Sequence, residues 1–113
     1  MNELALIDDI LQRSREKLTL QFNRNELGSL MGLLKLVNYE NIDNELKIQM
    51  MNDQIGKMMI RFMQKLMNYK VNYSLTLSAT ERYVITEAMR TINPSKIGTY
   101  ENTLIVNLMM QLH

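Results

Sequence analysis

Apolar and polar residues follow two different periods along this chain, and the switches between them divide it into elements. Near the start, Leu4, Ile7, Leu11, Ser14 and Leu18 fall three or four residues apart. The spacing predicts an amphipathic helix over residues 2–15, with Asn2 as its cap and Glu3 in the first turn, where the helix dipole favours an anion. From Lys17 the period drops to two. Lys17, Thr19 and Gln21 are polar while Leu18, Leu20 and Phe22 are apolar, which predicts a strand with one buried face. Asn23 and Glu26 then form a capping box with Asn in the usual place of Ser or Thr. The helix it opens is expected over residues 24–39, with Leu27, Leu30, Met31, Leu34 and Val37 on one side.

Residues 38–41 read as a turn, and Asp43 opens a long helix reaching Tyr69. Its stripe is Ile48, Met51, Ile55, Met58, Phe62, Leu66 and Tyr69, with Met59, Met63 and Met67 in a second row. An apolar face this wide suits a helix packed on more than one neighbour. Alternation returns over residues 71–77. Ser78 and Glu81 form a second capping box, and the helix after it, residues 79–92, stops at Asn93-Pro94. A last helix is expected over residues 99–112, carrying Leu104, Leu108 and Leu112 with Ile105 and Met109.

These elements predict one α+β domain spanning residues 1–113 and mostly helical. About five helices pack on a two-stranded antiparallel ribbon, in the order α-β-α-α-β-α-α. Displacing the chain by 55 residues lays Leu18, Leu20 and Phe22 on Tyr73, Leu75 and Leu77, and Asn23 and Glu26 on Ser78 and Glu81. Units 2–38 and 57–93 are then either an internal pseudo-twofold repeat or two helix–strand–helix segments with a generic likeness.

Composition narrows the chemistry. Hydrophobic residues make up 46% and charged residues 22%, an ordinary globular balance. Thirteen Lys and Arg oppose twelve Asp and Glu, so the chain is not a strongly basic nucleic-acid binder. There is no Cys, and the only His is His113, which excludes thiol chemistry and a His-based centre within one chain. The glycines at 28, 32, 56 and 98 fit no phosphate loop or dinucleotide fingerprint. Gly28 and Gly32 are expected to let their helix approach a neighbour closely. The carboxylates are scattered, so no catalytic, cofactor-binding or metal-binding residue is assigned, and the chain reads as a non-enzyme without a cofactor. The start of the chain lacks the basic and apolar stretches of a secretory signal, and no segment approaches the ~20 apolar residues that span a bilayer. A soluble cytoplasmic protein without a membrane partner is the expectation.

Two surfaces then suggest a function: the leading reading is a non-catalytic interaction or assembly protein, and the alternative is a DNA-binding ribbon. The first is apolar: six of the eleven methionines lie in the long helix, and the last helix is apolar around most of its circumference. Met58, Met59, Phe62, Met63, Leu104, Leu108 and Met109 would bury against a protein partner or a second copy, by default in a twofold dimer; the alternative is that the same rows pack into the chain's own core. The second surface is the ribbon. Strand, capped helix and helix, twice over, resembles the order of ribbon-helix-helix DNA-binding proteins, here within one chain. That resemblance implies that the polar ribbon face enters a major groove, with Lys17, Thr19 and Gln21 on one strand and Asn72, Ser74 and Thr76 on the other. Charge is unevenly placed: residues 1–53 hold six basic and nine acidic side chains, residues 54–113 seven basic and three acidic. Lys57, Arg61 and Lys65 share one helix face and could contact phosphates.

Overall fold

The computed structural model describes residues 17–112, so the helix expected over residues 2–15 lies outside the described residues. The elements are β1 (Leu18–Asn23), α1 (Arg24–Leu34), α2 (Glu45–Leu66), β2 (Asn72–Leu77), α3 (Ala79–Arg90) and α4 (Thr99–Leu112), with a single 3-10 turn at Pro94–Lys96 before α4. The described chain is α+β: four helices and one two-stranded antiparallel sheet.

The register pairs Leu18 with Leu77, Leu20 with Leu75 and Phe22 with Tyr73. Successive strand side chains point to opposite sides, so one register decision sets the whole inner face. Leu20, Phe22, Tyr73, Leu75 and Leu77 are all buried there. A two-stranded ribbon is marginal alone, and the helices supply what it lacks. They add Leu27, Leu30, Leu33 and Leu34 from α1, Met51, Ile55, Met58 and Phe62 from α2, Val84, Ile85, Ala88 and Met89 from α3, and Leu104, Leu108 and Leu112 from α4. Each Leu, Ile, Val, Phe or Met among them contributes about 1.5–3 kcal/mol on full burial. The residues 104–108 are helical throughout.

Neither strand needs a loop to enter its helix. The Asn23 side chain accepts from the Glu26 N–H at 2.8 Å, and the Glu26 carboxylate accepts from the Asn23 N–H at 2.8 Å. Ser78 and Glu81 repeat this at 3.1 and 2.9 Å. Two orphan donors are satisfied at each helix start, and the strand-to-helix angle is fixed.

Three helices end earlier than their apolar patterns predict, and tertiary hydrogen bonds explain why. α1 stops at Leu34 rather than Tyr39. The Lys35 and Leu36 N–H groups close onto the Gly32 and Leu33 carbonyls, and the Asn38 N–H then donates to Thr91 Oγ1 at 3.0 Å. That hydroxyl in turn donates to the Ala88 carbonyl at 2.7 Å, which ends α3 at Arg90 rather than Ile92. α2 starts at Glu45, because the Asn44 side chain accepts from the Lys47 N–H at 3.1 Å. It ends at Leu66 rather than Tyr69, where the Tyr73 hydroxyl donates to the Asn68 carbonyl at 2.8 Å and accepts from the Lys70 N–H at 3.1 Å. Gly28 and Gly32 do not serve a close approach: a Cβ at either would meet nothing within 4 Å, because both lie on the exposed side of α1.

Candidate nucleic-acid interface

The outer face of the ribbon follows directly from the inner one. With Leu20, Phe22, Tyr73, Leu75 and Leu77 turned inward, the intervening Thr19, Gln21, Asn72, Ser74 and Thr76 must turn outward, and all five are exposed. Lys17, one residue ahead of β1, is exposed as well. The outward side chains meet across the strands. Thr19 Oγ1 lies 2.9 Å from Thr76 Oγ1, and Ser74 Oγ donates to Gln21 Oε1 at 3.0 Å. Among the described residues, this pairing leaves the Gln21 amide nitrogen without a partner and the Asn72 side chain with both its donors and its acceptor. The face therefore offers donors and acceptors side by side, on a backbone that cannot slip because its other face is buried.

The edge beside β2 is basic. The last turns of α2 run along it, and Arg61, Lys65 and Lys70 line a shallow concavity there together with Asn72 and Ser74. Arg61 is held in place: its guanidinium lies 2.9 Å from the Glu81 carboxylate and reaches the Thr76 carbonyl at 3.4 Å. Lys57 is drawn instead to Asp53 at 3.1 Å. The three-cation helix face expected from spacing is thus divided, and Lys70, beyond the helix, joins its lower part. The edge beside β1 differs. There Gln21 and Glu26 line a concavity with Asn107 and Gln111 of α4, and no cation lines it among the described residues.

The apolar candidates are placed differently. Met58, Phe62, Leu104 and Leu108 are 1%, 0%, 6% and 1% exposed, so they are spent on the chain's own core rather than presented to a partner. Met59 and Met109 are half-buried against that core, and only Met63, at 55%, faces outward. With Ile60 and with Met67, the residue just after α2, it forms an exposed row. Periodicity identified the apolar face of α2 but not which part of it α1, α3 and the ribbon would cover.

Sequence reasoning missed the role of Tyr73. Its ring is buried opposite Phe22, yet its hydroxyl also accepts from Arg24 Nη1 at 2.9 Å and so ties α1, the α2–β2 turn and the ribbon together. A tyrosine among the leucines of an alternating strand was the available signal, since a buried tyrosine hydroxyl needs a partner. Elsewhere, burial pushes the Tyr39 phenol above its usual range. Among the described residues, no three His, Asp or Glu side chains are grouped to hold a metal ion, and no helix is long and apolar enough to cross a membrane. No protein-family model matches the chain, and no curated protein or solved structure matches it either.

Proposed function

We propose that this protein is a double-stranded DNA-binding module that reads base edges with the outer face of its ribbon. The observation that carries the reading is the uninterrupted polar outer face, Lys17, Thr19, Gln21, Asn72, Ser74 and Thr76, mounted on a buried inner face and capped at both helix entries. A major groove about 12 Å wide admits a two-stranded ribbon, and side chains of these types donate to and accept from base edges there. The order β1-α1-α2-β2-α3-α4 supports the resemblance to ribbon-helix-helix proteins. So does the register. Moving each strand by the 55 residues of the sequence alignment sends the pair Leu18–Leu77 onto Phe22–Tyr73 and leaves Leu20–Leu75 in place. A pseudo-twofold axis through Leu20–Leu75, and a duplication behind it, would produce this relation.

The test is fluorescence anisotropy against a pool of short duplexes at low and at physiological salt. The expected result is binding that weakens with salt, with sequence preference abolished in Q21A/S74A at about 1–3 kcal/mol for each base no longer read. Absence of binding at low salt, where electrostatic attraction is least screened, sinks the reading. A second reading, self-association, is favoured by one observation, the exposed row Ile60, Met63 and Met67. A monomeric mass across a wide concentration range removes it.

A further inference from the structure

The two edges of the ribbon carry different chemistry, and the difference bears on how a duplex would sit. Phosphates line both walls of a major groove, so a ribbon within the groove brings one of its edges to each wall. We infer that the concavity beside β2 is a cradle for DNA backbone phosphate, with Lys65 and Lys70 as the anion-binding groups; this inference rests on the ribbon reading above.

Four observations carry it. The cradle opens onto the same surface as the base-reading face, because Asn72 and Ser74 line both. Its cations come from two elements, the last turn of α2 and the turn before β2, so their convergence reflects the fold and not the spacing along one helix. Arg61 is committed to Glu81 at 2.9 Å, whereas Lys65 and Lys70 have no carboxylate within 4.0 Å among the described residues. Carbonyls of the last turn of α2 are also partnered. The Leu66 carbonyl accepts from Arg24 at 2.8 Å, and the Met63 and Lys65 carbonyls accept from the Met67 and Asn68 N–H groups at 3.1 and 3.2 Å. An anion there does not face bare carbonyls. Among the described residues, the concavity beside β1 holds no cation: it is lined by Gln21, Asn107, Gln111 and the Glu26 carboxylate.

The experiment titrates the full chain against a fluorescent mixed-sequence DNA duplex over a series of salt concentrations, comparing wild type with K65Q/K70Q. The double variant should weaken binding to every sequence alike and lower the slope of log K against log salt by roughly 2, at ~0.9 for each phosphate that is no longer neutralised. Thermal melting accompanies the titration. Where K65Q/K70Q melts early, the exposed single variant K70Q is the test, with a slope change of roughly 1. Wild-type binding with an unchanged slope in the variants overturns the cradle and leaves the ribbon reading standing. A wild type that binds no duplex at low salt overturns both.

Discussion

The inner and outer faces of the ribbon share a backbone and a register but do opposite work. The inner face is Leu20, Phe22, Tyr73, Leu75 and Leu77, buried in one core with apolar side chains from all four helices. The outer face is Thr19, Gln21, Asn72, Ser74 and Thr76, exposed and joined only by two cross-strand hydrogen bonds at 2.9 and 3.0 Å. The fold draws its stability from the first set and almost none from the second. Residues that contribute little to folding are the ones a protein can devote to recognition, so the contrast also says where to look for function.

Substitutions can break this contrast. The largest effect belongs to Leu75→Ala, at the centre of the inner face and fully buried, which should cost about 2–5 kcal/mol in urea unfolding because the cavity has nowhere to collapse. A smaller loss would mean that the ribbon is peripheral to the core. Next is Tyr73→Phe, which keeps the ring but removes the hydroxyl shared by Arg24, Asn68 and Lys70. It should cost about 1–3 kcal/mol, since the Asn68 carbonyl is left without its donor. Equal stability of the variant would show that solvent replaces the hydroxyl. The smallest effect is expected on the outer face, where Q21A/S74A should stay within about 0.5 kcal/mol of wild type, typical of surface changes. A larger loss there would show that the outer face is structural and would remove the contrast.

Much of this was legible in sequence because it is local. Alternation over Leu18–Phe22 and Tyr73–Leu77 needs only the period of two, and the Asn23–Glu26 and Ser78–Glu81 boxes are written within four residues. The six polar candidates of the ribbon follow from the same alternation. What was not legible is set between distant segments. The ends of α1 and α3 depend on Asn38 meeting Thr91, and the end of α2 depends on Tyr73. Met58 and Met63 look alike in a helical pattern, yet one is in the core and the other in solvent, because helix crossing decides which part of a wide apolar face is covered. Lys70 joins Lys65 only through the turn that Tyr73 holds in place.

The pairing of β1 with β2 has a consequence of another kind. Both strands belong to one polypeptide, so forming the ribbon is a unimolecular event. Its midpoint of unfolding should not move on dilution, unlike that of a ribbon assembled from two subunits, whose folding is governed by mass action. A ribbon shared by two identical copies must also present the same residues twice. Here Thr19 and Gln21 face Thr76 and Ser74, and each strand is free to diverge from the other. On the DNA reading proposed above, one molecule would carry both strands of the ribbon and its asymmetric outer face, with no requirement that the bound site be a palindrome.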